Sequence, residues 1–283
     1  MKSLAEALQS SALSVRLEGE ERLWVETEGG RLLLKQVAPA HLDERAFLQV
    51  RPFDGLVVHP GGRVFCFGGA SYEVITLQSD LQKVDQATDV LGITELYTHC
   101  DRIVMLRPRL GLDALVEANH AHWDIDKPHA AADHGQPTID RAVQAFWAIA
   151  ESRRPQDPQR FRAGLFHEDL QVGNVLRAPS GTLHIIDPDP IWHAPAVLNL
   201  AHFLVLEVFA KQHTDLLPRL RYEMLSVLEE ETAEDFDFFV LLAMFRALVR
   251  RAFHAEYHHE GWCDDLLWYL DTFSKQYLEG IAS

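Results

Sequence analysis

The first third of the chain alternates apolar and polar positions with a period of two, and the rest shifts to the three-and-four spacing of helices. Ser14 to Leu17, Arg22 to Thr27 and Arg31 to Val37 are short strand-like runs. The last two are separated by Glu28-Gly29-Gly30, a hairpin turn signal. Pro39 to Leu48 brings Leu42 together with Ala46 or Phe47 on one face and predicts a helix. Val64 to Phe67 and Tyr72 to Leu77 predict two further strands. From Asp80 onward helical patterning dominates, interrupted by the His-, Pro- and Asp-rich stretch His120 to Pro137, which reads as a loop or inserted turn. A helix opens at Thr138-Ile139-Asp140-Arg141, continues through Ala145 and Ile149, and is ended by Arg153-Arg154-Pro155-Gln156-Asp157-Pro158. Leu198 to Lys211, Leu217 to Leu228, Ala233 to Tyr257 and Asp264 to Ile281 read as amphipathic or buried helices, with Phe236 to Leu242 as helix core. The chain carries no internal repeat and no coiled-coil heptads.

One segment breaks the helical pattern. Val175-Leu176-Arg177, the turn Ala178-Pro179-Ser180-Gly181 and Thr182 to Ile186 predict a short hairpin. It is preceded by His167-Glu168-Asp169-Leu170-Gln171-Val172-Gly173-Asn174 and followed by Asp187. An acid, an asparagine five residues later and a second acid thirteen residues beyond form the polar skeleton of a phosphoryl-transfer site. A tight loop holds Asp169 where it can accept a proton from a hydroxyl, and Asn174 where its amide oxygen can reach a metal ion. The hairpin returns Asp187 to the same metal. Hard oxygen ligands of this kind suit Mg²⁺, which is held jointly by protein and nucleotide phosphates.

The segment resembles the catalytic loop and metal-binding acid of the protein-kinase-like superfamily, whose loop reads H-R-D-x-x-x-x-N. It is similar in particular to the aminoglycoside phosphotransferase branch of small-molecule kinases. Ile186-Asp187-Pro188 looks most like the streptomycin and hydroxyurea phosphotransferases. The resemblance is strong over roughly residues 164–203 and diffuse elsewhere. It implies Asp169 as catalytic base, Asn174 and Asp187 as metal ligands, and ATP or GTP with Mg²⁺ as phosphoryl donor. It also implies that Lys35, closing the run Leu32-Leu33-Leu34, reaches the nucleotide phosphates, with Glu44 of the following helix as its carboxylate partner. Glu21 and Asp43 are alternative partners.

Several positions depart from the family pattern. Glu168 stands where Gly is usual and adds a negative charge beside the candidate base. Gln171 stands where His is frequent, and Asn199 where many members carry a structural Asp. No G-x-G-x-x-G precedes the second strand. His167 is read as a loop prop that hydrogen-bonds to backbone. Asp189, between Pro188 and Pro190, is either an assistant to the metal site or a solvated turn acid. His254 and His258, four apart, have no third ligand and lie near Arg250-Arg251, so zinc is not supported.

Composition narrows the partners. With 26 Lys and Arg against 42 Asp and Glu, the formal charge of −16 argues against nucleic acid or an anionic membrane. Three cysteines without a C-x-x-C pair fit reduced thiols. The first residues lack an apolar signal core and no apolar run approaches ~18 residues, so the chain is expected to be soluble and cytoplasmic.

The expectation is an α+β, bilobal, protein-kinase-like fold. Residues 1–78 would form a small β-rich nucleotide-binding lobe, and residues 79–283 a mostly helical lobe carrying catalysis and the acceptor pocket. The expected activity moves the γ-phosphoryl of ATP or GTP to a hydroxyl of a small molecule, one that carries an amine, as an aminoglycoside does. The surplus of carboxylates around Asp169 is the basis for the amine. Two rivals stand beside it. One is a protein kinase of the antibiotic-kinase-like type, against which the missing Arg before Asp169 counts. The other is a kinase-fold nucleotide-binding protein without turnover. Oligomeric state is not encoded in any pattern found.

Overall fold

Alternation in the N-terminal third is realised as an antiparallel meander. In the computed structural model the described residues are 12–18, 22–27, 30–37, 56–58, 64–75, 81–84, 97, 100, 109–117, 144, 146–157, 159–186, 191–253, 268, 271–273, 275 and 277. Strands β1 (Ala12–Glu18), β2 (Arg22–Thr27) and β3 (Gly30–Val37) pair in sequence, and β3 then pairs with β6 (Ala70–Ile75) rather than with an intervening strand. With β4 (Leu56–Val58) and β5 (Val64–Phe67) in chain order before β6, the five-stranded sheet runs β1-β2-β3-β6-β5. The β5–β6 connection is the two-residue turn Gly68-Gly69, both at positive φ (61° and 86°). A primed turn demands that conformation, and a Cβ at either position would meet no neighbour, so the requirement is conformational rather than steric. The tightness of this turn starts β6 at Ala70, two residues before the run that begins at Tyr72.

One face of the sheet buries Val25, Leu34 and Val74, with Leu23, Leu32 and Tyr72 packed against them. Because successive side chains point to opposite faces, Lys35 and Glu73 share the other face. They are direct cross-strand partners in the β3–β6 register.

A second sheet contains two strands that the sequence pattern did not predict, β4 and β7 (Gln82–Lys83). Its order is β4-β10-β9-β7, where β9 is Val175–Arg177 and β10 is Leu183–Ile185. The predicted hairpin is therefore present, and β10 is additionally parallel to β4, pairing Leu183 with Leu56. Gly181 sits in the hairpin turn at φ 87°, and the turn is closed by Gly181 N–H donating to Ala178 O at 2.9 Å. Both sheets belong to one unit, made of residues 1–85, 105–107 and 172–190.

The second unit spans residues 86–104, 108–171 and 191–283, and its described residues are mainly helical. Residues 112–117 and 146–152 are helical. The strands β8 (Ala163–His167) and β11 (Ile191–Pro195) pair antiparallel. Helix α1 (Val197–Leu204) follows and buries all eight residues, six of them apolar together with Asn199 and His202. The predicted helix from Leu198 to Lys211 thus starts as α and continues as a π-helix over Val205–Ala210. Then come α2 (Leu217–Ser226), α3 (Glu230–Glu234) and α4 (Phe236–Phe253). Pro218 opens α2, where a missing N–H costs nothing. The run beginning at Phe236 is core as predicted: Phe236, Phe238, Phe239, Val240, Leu241 and Leu242 are buried. The aromatic core extends to the C-terminal residues through Phe209–Phe273 and Phe273–Tyr277 ring contacts at 4.7 and 5.0 Å.

The predicted helix at 39–48, the loop at 120–137, and His254 and His258 lie outside the described residues. No helix among the described residues is long and apolar enough to cross a membrane.

Candidate active site

Of the predicted site residues, Asp169 belongs to the helical unit, and Lys35 and Asn174 to the strand unit. Asp187 and Glu44 lie outside the described residues, as does Asp189.

In the helical unit the loop grows out of β8, whose last four residues are buried. The backbone N–H of His167 donates to Asn199 Oδ1 at 3.0 Å. Asn199 Nδ2 in turn donates to Leu165 O at 2.6 Å and Ala196 O at 3.1 Å. This fully buried amide accepts once and donates twice. An aspartate in its place would keep the first bond and set a carboxylate against two carbonyl oxygens, so the departure from the family residue is matched to its surroundings.

His167 is itself fully buried, and its Nδ1 accepts the backbone N–H of Asp169 at 3.1 Å. That is the propping role read from the sequence, and it fixes the ring with an unprotonated Nδ1. The next amide, Leu170 N–H, donates to His167 O at 3.3 Å and closes the turn. The carboxylate of Asp169 is half-buried, and Gln171 Nε2 reaches both of its oxygens at 3.2 Å. A neutral amide thus orients the carboxylate without adding charge to it.

Glu168 has a different environment. It forms an ion pair with Arg246 of α4, and its Oε2 accepts the indole N–H of Trp192 at 3.2 Å. The guanidinium of Arg246 lies 5.8 Å from the centre of the Phe166 ring. Glu168 does stand beside Asp169 as an added carboxylate, but its charge is paired with Arg246 rather than left to meet an acceptor. Arg246 lies on a helix far along the chain, and no local sequence pattern signals that pairing.

In the strand unit, Val172–Asn174 forms one turn of 3₁₀ helix leading into β9. The backbone of Asn174 is tied across the hairpin by Ile186 N–H donating to its carbonyl at 2.9 Å. Ile186 is the residue that precedes Asp187 in the chain. Lys35 is half-buried on β3, opposite Glu73 of β6, and Glu73 is 1% exposed. Direct cross-strand partners have Cβ atoms about 4.5–5.5 Å apart. Glu73 is thus a carboxylate neighbour of Lys35 that reasoning from helix position, which favoured Glu44, did not consider. Among the described residues no cluster of three or more His, Cys, Asp or Glu is arranged to hold a metal ion. The oxygen donor of Asn174 is compatible with a hard cation but does not by itself complete a ligand set.

No protein-family model matches the sequence, and no curated protein is similar to it. Solved structures are similar over nearly the whole chain. An aminoglycoside phosphotransferase from Alicyclobacillus acidocaldarius shares 15% identity over 98% of this chain and 93% of that one, with a TM-score of 0.63. The choline kinase of Streptococcus pneumoniae shares 12% over 95% and 96%, with a TM-score of 0.60, and a further structure of it is a complex with AMP. A microcompartment-associated aminopropanol kinase shares 15% over 97% and 96%, with a TM-score of 0.62. The fold is therefore the mixed α+β, protein-kinase-like fold of aminoglycoside phosphotransferases and choline kinases. At such identities the likeness defines the fold alone.

Proposed function

We propose that this chain is a phosphotransferase that moves the γ-phosphoryl of ATP or GTP to a hydroxyl of a small molecule. The observation that carries this reading is the built loop at Asp169. Three hydrogen bonds to the 167–169 backbone, from or to Asn199 and the His167 ring and carbonyl, precede a carboxylate aligned by Gln171. It occurs in a fold shared with proteins named as small-molecule kinases.

In this reading Asp169 takes the proton of the acceptor hydroxyl as its oxygen attacks the γ-phosphorus. Asn174 and Asp187 hold Mg²⁺, which when bound neutralises the phosphate charge. Lys35 presents a fixed positive charge to the phosphates, steadied by Glu44, and residues 1–78 serve the nucleotide while residues 79–283 serve the acceptor. Little covalent chemistry is asked of the protein, because positioning and charge account for most of the barrier lowering in phosphoryl transfer. The acceptor is an amine-bearing alcohol. Support comes from the net charge of −16 and from the acceptors named for the similar structures, choline, aminopropanol and aminoglycosides. Glu168 lends no support, since Arg246 balances it.

The reading is tested by thermal unfolding with and without nucleotide. A ligand that binds only the folded state, at one hundred times its dissociation constant, stabilises it by about 2.7 kcal/mol. Mg²⁺ with ATP or GTP raises the melting temperature of the wild-type chain, and Asp187→Ala abolishes the Mg²⁺-dependent part of that rise. The absence of any shift with either nucleotide at millimolar concentration overturns the proposal.

A further inference from the structure

Glu168 is pinned from two directions, by Arg246 of α4 and by Trp192 of β11. We propose that Arg246 and Trp192 are positioning residues for Asp169 that act through Glu168. The inference rests on the phosphotransferase reading for its consequence, but its geometry does not. Residue 168 is bonded to residue 169, so a fixed Glu168 side chain restricts the backbone from which the Asp169 carboxylate leaves. His167 is already fixed by Asn199 of α1, and the Asp169 amide by the His167 ring. Arg246 and Trp192 supply the remaining restraint on the residue between them.

The chemistry of the clamp is specific. Arg246 is 12% exposed, so its charge and that of Glu168 are shielded from much of the solvent screening that weakens surface pairs. Its guanidinium lies 5.8 Å from the centre of the Phe166 ring, and Phe166 lies directly across from Trp192 in the β8–β11 register. A planar cation with several donors beside an aromatic ring is not replaced by an ammonium of equal charge. The glycine usual at this loop position has no side chain to be clamped in this way. In this chain the loop is instead held by an acid whose charge is neutralised by a distant helix.

Hydrogen exchange and kinetics on the full chain test the clamp. In Arg246→Met the amides of Asp169 and Leu170 exchange at least about tenfold faster, while those of Leu165 and Phe166 change less than about twofold. The turnover number falls by about 10- to 100-fold, the range for lost supporting contacts, with the Michaelis constant for nucleotide within about twofold of wild type. Glu168→Gln combined with Arg246→Met is no slower than the worse single variant, because both remove the same restraint. If Arg246→Met fails to fold, Arg246→Lys replaces it with the same loop-specific readout and a smaller loss. Exchange that rises equally along β8, β11 and α4, or that leaves the Asp169 and Leu170 amides unchanged, overturns the clamp, as do additive losses in the double variant. A wild-type chain that transfers no phosphoryl group defeats the proposed function instead, and the exchange measurement still decides the clamp.

Discussion

Asp169 and Asp237 are carboxylates of the same helical unit, and different side chains hold them. Asp237, in the first turn of α4, is 15% exposed and meets three charged or hydroxyl donors. Its Oδ1 accepts from Tyr277 Oη at 2.8 Å and from Arg221 at 3.1 Å, and Oδ2 faces Arg153 at 3.6 Å. Burial, reinforced by the negative charge of Asp237, pushes the Tyr277 phenol well above its ordinary pKa, so it stays a hydrogen-bond donor. The guanidinium of Arg221 also sits 5.9 Å from the Tyr277 ring. This cluster ties α2 and α4 to the C-terminal residues. Asp169 is half-buried, and the donor that spans both its oxygens is the neutral amide of Gln171. Its neighbour Glu168 takes the arginine. Arg221 and Arg246 thus serve the carboxylates that brace, while the amide of Gln171 bridges both oxygens of the one proposed to accept a proton.

The contrast can be broken first at the scaffold under Asp169. Asn199→Asp puts a carboxylate with no solvent exposure against the carbonyls of Leu165 and Ala196. An uncompensated buried charge costs about 3–5 kcal/mol, so urea unfolding at neutral pH should show a loss of that size. A stable Asn199→Asp chain with full turnover contradicts the role given to this amide.

The next largest effect belongs to the brace. Asp237→Ala strands Arg221 and Tyr277 without their shared acceptor. Hydrogen bonds to charged groups are worth about 1.5–3 kcal/mol each, and the exposure of Arg221 and Arg153 lets water replace part of the loss, so a net cost of about 2 kcal/mol is expected. Below the melting transition this variant keeps wild-type turnover, measured per folded molecule. A tenfold fall in turnover without destabilisation erases the distinction between the two acids.

The sequence made some of this legible and hid the rest for physical reasons. Strands β2 and β5 begin and end where alternation places them, because the period is local, and in β2 Val25 is buried with Leu23 packed beside it. The hairpin around Ala178 to Gly181 was equally readable from its turn residues. By contrast, β4 is three residues long, and its partner β10 lies far along the chain, so no local pattern marks it. The β8–β11 pair was hidden by the polar and proline-rich sequence around β11, with His193 and Pro195 inside the strand. A π-helix shares apolar residues at nearly α-helical spacing, so the change at Val205 leaves no clear mark. At the candidate site the Asp-x-x-x-x-Asn spacing and the propping histidine could be read. The partners of Glu168 could not, because Arg246 and Trp192 reach it only through the tertiary fold. Glu73 was missed for a related reason: its place beside Lys35 depends on β3 pairing with β6 across an intervening segment.

The chemistry of Asp169 is the centre of the proposed phosphoryl transfer. Purified wild-type chain and Asp169→Asn should each be incubated with Mg²⁺, ATP or GTP, and a panel of amine-bearing and neutral alcohols. Phosphate-ester formation is followed by phosphorus NMR. Asparagine can keep the hydrogen bond to Gln171 but cannot serve as the base. The account predicts an ester with the wild-type chain and a rate about 10²–10⁴-fold lower with the variant, with nucleotide binding nearly unchanged. No ester from any donor and alcohol, or equal rates from the two chains, would contradict it.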